Sequence, residues 1–211
     1  MKTAIVLVAA LAGGCGSNRP EIPPELLGDV NPDAAEYPDG PYGSEPGELA
    51  VNAEFRGFRR PLSATLEEGK LEELSLDRYY DPTGDRYELI LLNSAALWCS
   101  VCIEEHRDLP TQFAEFEPRG LVILSALFQD QRGDPADFDD LRAWIQTFDV
   151  PFPMVLDPDY QLGVYASAET APLNLLIDAR SMRIVEKFVG DQREVLWSLV
   201  SDELSRRESE E

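Results

Sequence analysis

Trp98-Cys99-Ser100-Val101-Cys102 follows closely on the apolar run Tyr87-Glu88-Leu89-Ile90-Leu91-Leu92-Asn93-Ser94. The run predicts a buried strand, and a helix that starts at Cys99 would place the first thiol among unpaired backbone N–H groups. Those groups and the helix dipole favour thiolate over thiol, so Cys99 is the predicted nucleophile. Cys102 lies one turn further along the same face, close enough to close a disulfide, and is the predicted resolving thiol.

Two other uses of a Cys-x-x-Cys pair are a zinc site and a purely structural disulfide. A structural zinc ion needs four ligands, usually Cys and His, whereas the chain adds only His106 and Cys15 to this pair. His106 would lie about 10 Å beyond Cys99 along the helix, so we predict a surface histidine rather than a catalytic base. A short disulfide loop removes little chain entropy, and redox chemistry is therefore the favoured use.

The N-terminus carries the pattern of an export signal. Met1-Lys2 is basic, residues 4–11 are apolar, and small residues precede a cysteine in Leu11-Ala12-Gly13-Gly14-Cys15. The pattern resembles a bacterial lipoprotein signal peptide, which implies that residues 1–14 are removed and that Cys15 carries the lipid. A cleaved secretory signal with an incidental cysteine is the alternative. An uncleaved span is disfavoured because the run is shorter than the ~20 residues that cross a bilayer.

Residues 15–50 form a predicted acidic, Pro-rich tether. Prolines recur at positions 20, 23, 24, 32, 38, 41 and 46, and Arg19 is the segment's single basic residue. Such a composition cannot bury a core, so the globular domain is predicted at residues 51–206 and a disordered tail at 207–211. The formal net charge of −22 argues against nucleic acid and an anionic membrane surface as partners. Membrane attachment must therefore come from the lipid.

The domain alternates between strand and helix patterns. We predict a hairpin at 51–58 and helical turns at 75–80 and 159–164. Further strands are predicted at 87–94, 120–127, 153–156, 173–177 and 183–189. The first predicted helix runs from 99 towards 117, the second follows an N-cap at Asp134-Pro135, and the third spans 191–206. Core positions on the second and third helices are Phe138, Leu141, Trp144, Ile145, Phe148, Val195, Leu196, Leu199, Val200 and Leu204. This order predicts an α/β thioredoxin-like fold, with a mixed central sheet flanked by helices.

One segment carries a more specific resemblance. Residues 92–102 resemble the Val-Asn-Phe-Trp-Ala-x-Trp-Cys-x-x-Cys segment of the TlpA/ResA family, the membrane-tethered extracytoplasmic thiol–disulfide oxidoreductases. The resemblance covers about residues 50–206. Thr170-Ala171-Pro172 resembles the family's loop with a cis-proline opposite the redox pair. The resemblance thus implies that Trp98, Ala171 and Pro172 contact the substrate.

The same resemblance implies a reductase of disulfides in exported proteins. Such an enzyme needs no cofactor, but a membrane or extracytoplasmic electron donor must restore its dithiol. The lipid would hold it in the bacterial cell envelope facing the periplasm, and Gly16 after Cys15 favours the outer membrane. Asn93 replaces the buried aspartate of cytoplasmic thioredoxins, which fits the membrane-bound branch. Glu104 and Glu105 would oppose thiolate formation if they faced the pair, which favours a mildly reducing Cys99.

Two alternatives of other classes stay open. Residues 150–159 resemble a stretch of redoxin and peroxiredoxin proteins, which suggests a thiol peroxidase, although Ala96 stands where those enzymes usually have threonine. The other alternative is a non-enzymatic copper-binding or thiol-binding module on the same fold. Copper delivery normally adds a histidine near the thiols, and His106 is the sole candidate.

Overall fold

A seven-stranded mixed sheet forms the centre of the domain in a computed structural model that describes residues 36–209. Its strands are β1 (Glu54–Phe58), β2 (Glu72–Ser75), β3 (Leu89–Ala96), β4 (Leu121–Gln129), β5 (Met154–Leu156), β6 (Leu173–Asp178) and β7 (Ile184–Val189). The helices are α1 (Ser100–Phe116), α2 (Phe138–Phe148) and α3 (Arg193–Glu208). The strand order is β2-β1-β5-β4-β3-β6-β7, with β3, β4 and β5 parallel and the other neighbours antiparallel. The thioredoxin-like fold is confirmed.

The two central strands are apolar because both of their faces are covered. All eight residues of β3 are buried, as are the first eight of β4. Side chains alternate between faces along a strand. Leu89 and Leu91 pack in a hydrophobic cluster with the core residues of all three helices, whereas Ile90 and Leu92 pack in a second hydrophobic cluster on the other face of the sheet. The helices therefore lie over one face of the sheet, and α1 begins at the carboxyl end of β3.

Part of the predicted tether lies against the domain. Within residues 36–50, the N–H of Gly47 donates to the Ile184 oxygen over 2.7 Å, and the N–H of Ala50 donates to Met182 over 2.9 Å. Leu49 and Ala50 are buried. The first contact uses the open edge of β7, whose backbone groups would otherwise lack partners, and the second lies just before that strand. The acidic and proline-rich composition concealed these two apolar residues, so the boundary at residue 50 falls inside a folded segment.

Three local predictions are wrong, each for a structural reason. The 51–58 segment forms β1, which pairs with β2 and β5 rather than within a local hairpin. Gly57 suits that position because a Cβ there would lie 2.2 Å from the Met154 oxygen.

Helix α2 is capped by Asp137, whose carboxylate accepts from the N–H groups of residues 139 and 140. The predicted cap at Asp134 is wrong because residues 130–134 close a separate turn on the Asp130 carboxylate. Val195 is exposed, unlike its predicted face partners Leu196, Val200 and Leu204.

The C-terminal residues 207–209 belong to the folded part as well. Helix α3 continues to Glu208, and the Arg207 guanidinium lies 2.6 Å from Asp178 and 3.3 Å from Glu88. Arg207 is only 7% exposed, so it is no part of a disordered tail. Its partners are 29 and 119 residues away along the chain, which a local sequence pattern does not reveal.

The predicted signal peptide at 1–14, Cys15 and the tether to residue 35 lie outside the described residues, as do residues 210–211. Among the helices that are described, none combines the length and the apolar character needed to cross a bilayer.

Candidate active site

The two cysteines occupy the first turn of α1 and form a disulfide, with their Cα atoms 5.2 Å apart. Cys99 is the N-cap residue of the helix, which therefore begins where the sequence predicts. Cys99 is 4% exposed, whereas Cys102 is fully buried among the core side chains. Cys99 is therefore the more accessible of the two cysteines.

A backbone donor contacts the outer sulfur. The N–H of Cys102 donates to the Sγ of Cys99 over 3.0 Å, the position that an N-cap side chain normally fills with oxygen. After reduction, this donor and the positive end of the helix dipole both stabilise negative charge on Cys99. The arrangement can thus supply a thiolate nucleophile at the helix N-terminus.

Trp98 is held in place beside the disulfide. Its indole Nε1–H donates to the Oε1 of Gln129 over 2.9 Å, and its ring meets the Phe128 ring edge-on at 6.3 Å. A β-bulge makes this possible: the pairing of β3 with β4 passes from Leu127 opposite Ala95 to Gln129 opposite Ala96. Bulges commonly re-aim side chains next to active sites.

The proline loop lies at the same end of the sheet as the disulfide. The Ala171–Pro172 peptide bond is cis, as the resemblance implies. Leu173, the next residue, pairs with Ser94 near the carboxyl end of β3. Pro172 is buried and its oxygen accepts from the Gly190 N–H over 2.8 Å, while Ala171 packs against the cluster that contains both cysteines.

A row of polar side chains crosses the sheet beneath α1. Asn93 pairs in register with Ser125 on one side and Asn174 on the other, and all three are buried. The Glu105 carboxylate receives hydrogen bonds from Asn93 Nδ2 over 2.9 Å and from Asn174 Nδ2 over 2.6 Å. Burial raises the pKa of Glu105 to about 7, although the two amide donors and Arg193 act to lower it. The site thus contains a carboxyl group that can gain or lose a proton near neutral pH.

His106 is buried, which makes the prediction of a surface histidine wrong. Its ring is 0% exposed and lies against the rings of Trp144, Phe148 and Phe152. Nδ1 lies 3.1 Å from the Cys102 oxygen and Nε2 lies 3.0 Å from the Ser125 hydroxyl. Burial lowers the pKa of His106 to about 4. The copper-binding alternative relied on this residue, and a ring with both nitrogens engaged inside the core is not a ligand placed for a metal ion at Cys99.

Sequence reasoning missed three residues of the site, Ser125, Gln129 and Asn174, and it considered Glu105 only as a charge that could oppose thiolate formation. A signal existed for Glu105 and His106, since residues 102, 105, 106 and 109 are spaced to share one helix face and are all buried. Ser125, Gln129 and Asn174 become visible only once strand register is known. Among residues 36–209, no three His, Cys, Asp or Glu side chains are grouped as a metal site would require.

The comparisons with known proteins agree with this geometry. The AhpC/TSA family model matches residues 60–185. The thiol:disulfide interchange protein DsbE of Vibrio cholerae is 31% identical over 138 residues, which cover 64% of this chain and 69% of the relative.

Solved structures show the same fold. A secreted thiol-disulfide isomerase from Corynebacterium glutamicum has a TM-score of 0.57 at 15% identity, over 81% of this chain and 98% of that structure. A thioredoxin family thiol:disulfide interchange protein from Chlorobium tepidum has a TM-score of 0.53 at 14% identity, over 79% and 99%.

The fold, the cysteine pair and these relatives define a thiol–disulfide oxidoreductase of the thioredoxin-like superfamily. Within that superfamily, the chain belongs to the AhpC/TSA family.

Proposed function

We propose that the protein reduces disulfides in exported proteins, and the observation that carries the proposal is the unequal burial of its two sulfurs. The Cys99 thiolate attacks a client disulfide, forms a mixed disulfide and releases one client thiolate. The Cys102 thiolate then attacks the Cys99 sulfur, closes the internal disulfide and releases the second client thiolate. The client gains two electrons and the protein loses two. Cys99 is 4% exposed and Cys102 is 0% exposed, which supports Cys99 as the residue that takes part in the intermolecular step.

The client would lie between Trp98 and the Ala171–Pro172 loop. Both features lie at the carboxyl end of β3, where the nucleophile also lies. Gln129 holds the indole of Trp98, so this side of the proposed groove has a fixed shape. Backbone groups of the loop would pair with an extended client segment in the manner of an added strand.

An anchored, extracytoplasmic location is part of the proposal. Cys15 would carry the lipid, in the outer membrane as Gly16 suggests, and the segment that follows would link it to the folded part. DsbE of Vibrio cholerae bears the name of a thiol:disulfide interchange protein, which supports disulfide-containing proteins as partners. A separate membrane or extracytoplasmic donor would return the Cys99–Cys102 pair to the dithiol.

Trapping tests the proposal directly. A Cys102→Ser variant keeps the nucleophile and loses the resolving thiol, so it should accumulate mixed disulfides with exported proteins. Cys99→Ser is the matched control and should accumulate far fewer, since its remaining thiol is buried. Equal trapping by the two variants, or none by either, would contradict the assignment.

The same position separates disulfide exchange from peroxide reduction. A Cys102→Ala variant retains Cys99, which a thiol peroxidase would need. The disulfide exchange assignment predicts that this variant consumes hydrogen peroxide no faster than the Cys99→Ala control. Rapid consumption that depends on Cys99 would instead support the peroxidase alternative.

A further inference from the structure

The Ser125 hydroxyl lies between two groups that can each accept its proton. Its oxygen is 2.7 Å from Asn93 Oδ1 and 3.0 Å from His106 Nε2. On the other side of the ring, His106 Nδ1 lies 3.1 Å from the Cys102 oxygen. A hydroxyl has one proton to donate, and a neutral imidazole also has one. The three contacts therefore have two protons among them.

The orientation of the Asn93 amide fixes this mismatch between three contacts and two protons. Its Nδ2 faces three acceptors: Glu105 Oε2 at 2.9 Å, Asn174 Oδ1 at 2.9 Å and the Leu173 oxygen at 3.5 Å. Turning the amide over would set its oxygen against all three. Asn93 Oδ1 is thus fixed as the atom that faces Ser125, where it can only accept.

Two arrangements of a neutral ring are possible. In the first, Nε2–H donates to Ser125, Ser125 donates to Asn93, and an unprotonated Nδ1 faces the Cys102 oxygen. In the second, Nδ1–H donates to Cys102, Ser125 donates to Nε2, and Asn93 Oδ1 receives no proton. A doubly protonated ring would satisfy every contact, but burial lowers the pKa of His106 to about 4 and opposes that state near neutral pH.

The ionised and the protonated form of Glu105 favour different arrangements. An ionised carboxylate accepts strongly from Asn93 Nδ2, and this polarises the amide so that its oxygen becomes a better acceptor. Ser125 then donates to Asn93, and the ring carries its proton on Nε2. When Glu105 is protonated it accepts weakly, the demand on Ser125 falls, and the ring proton moves to Nδ1.

We propose that His106 is a positioning residue of the disulfide site, whose ring tautomer follows the charge of Glu105 through Asn93 and Ser125 and so gives or withholds a hydrogen bond at the Cys102 oxygen. The proposal deepens the proposed function, because it links a proton-binding group to the helix turn that carries both sulfurs. It does not require that disulfide exchange take place.

Other charges near the two groups are few. Arg193, at the start of α3, acts to lower the pKa of Glu105, and Asp191 acts to raise it. No charged side chain of the described residues shifts the pKa of His106, whose causes are burial and the Cys102 oxygen. Aromatic rings from α2 and the segment before β5 complete its surroundings. Glu105 is joined to the ring only through the hydrogen bonds of Asn93 and Ser125.

The chain has one histidine, so its ring nitrogens can be observed without assignment. The oxidised full-length protein, labelled with 15N-histidine, would be followed by long-range proton–nitrogen correlation spectra between about pH 5 and about pH 9. We expect a neutral ring that changes from the Nδ1–H to the Nε2–H tautomer as pH rises, with a midpoint near the Glu105 pKa of about 7. One unchanging tautomer, or an imidazolium at neutral pH, would overturn the proposal.

Two variants and a control identify the path. Ser125→Ala removes the link and should leave the ring as Nδ1–H at every pH, and Glu105→Gln should abolish the transition. Ser94→Ala is the matched control, since Ser94 is a buried serine on β3 whose hydroxyl has no partner within residues 36–209. It should titrate as the unaltered protein does. A transition that persists in Ser125→Ala would overturn the proposal.

The test is separable from the test of function. Because the sample is oxidised, the tautomer result is independent of whether Cys99 attacks a client. Failure of the trapping experiment would remove the reductase assignment and leave the tautomer transition standing. Failure of the tautomer transition would leave disulfide exchange intact.

Discussion

The indole Nε1–H of Trp98 donates to the Oε1 of Gln129 across 2.9 Å, which links the residue before Cys99 to the end of the neighbouring strand. The link depends on the bulge that sets Gln129, rather than Phe128, opposite Ala96. The position of Trp98 beside Cys99 is therefore set by strand pairing as well as by the helix that follows it.

Loss of this acceptor should weaken client binding. Gln129→Leu removes a hydrogen bond worth about 1 kcal/mol, so the rate of exchange with a disulfide-containing peptide should fall about fivefold, mainly through a higher KM. Gln129→Glu keeps an acceptor oxygen and should restore most of the rate. Gln131→Leu, at an exposed position two residues on, is the control and should behave as the unaltered protein. Equal rates for Gln129→Leu and Gln131→Leu would show that Trp98 needs no such support.

Glu105 should make the protein less stable as pH rises. Folding raises the pKa of Glu105 from 4.5 to about 7, so the folded state binds this proton more tightly than the unfolded state. The contribution is complete below about pH 4.5 and is lost by about pH 7, a total of about 3 kcal/mol. A Glu105→Gln side chain cannot ionise, so the variant should not lose this contribution. Its free energy of unfolding, relative to that of the unaltered protein, should therefore increase as pH rises from about 4.5 to about 7. Urea denaturation at several pH values measures the difference.

Glu104→Gln is the control for that experiment, since Glu104 is exposed and paired with Arg107 on the surface. Its pH dependence should match the unaltered protein. If Glu105→Gln and Glu104→Gln have the same pH dependence, Glu105 is not buried in the state described.

His106 should act in the opposite direction. Folding lowers its pKa from 6.5 to about 4, so stability is complete above about pH 6.5 and falls by about 3 kcal/mol as pH decreases towards 4. The Glu105 and His106 contributions to the pH dependence of stability have opposite signs between these limits. Each contribution can therefore be measured in a variant that lacks the other group. A His106→Phe variant retains an aromatic ring but lacks the histidine contribution, so its stability should rise relative to that of the unaltered protein as pH falls from about 6.5 towards about 4. An unchanged pH profile would contradict the burial of the ring.

Arg207 should stabilise the domain although it lies in the predicted tail. Its guanidinium approaches both Asp178 and Glu88, and removing one partner of a buried ionic group typically costs about 3 kcal/mol. Arg207→Met should therefore lower the free energy of unfolding by about that amount. Arg206→Met, which removes a pair with Glu203 from an exposed position, should cost about 0.5 kcal/mol or less. Similar losses in thermal or urea unfolding for the two variants would argue against the buried cluster.

The sequence predicted the parts of the site that follow one another along the chain. Cys99 and Cys102 at a helix start, and Pro172 before β6, needed only local spacing and a family resemblance. His106 was misplaced because its distance from Cys99 was considered without the face that it shares with Cys102. Ser125 and Asn174 lie 32 and 81 residues from Asn93, and only strand register brings them together. The Gln129 contact depends on a bulge, which no periodicity reveals.

Redox titration of the Cys99–Cys102 pair tests the central claim most directly. The full chain would be equilibrated with thiol–disulfide buffers of defined potential, alkylated at neutral pH and examined by mass spectrometry. The account predicts one two-electron transition below about −180 mV, with Cys99 modified faster than Cys102 in the reduced form. A pair that never cycles, a potential well above that value, or earlier modification of Cys102 would contradict it.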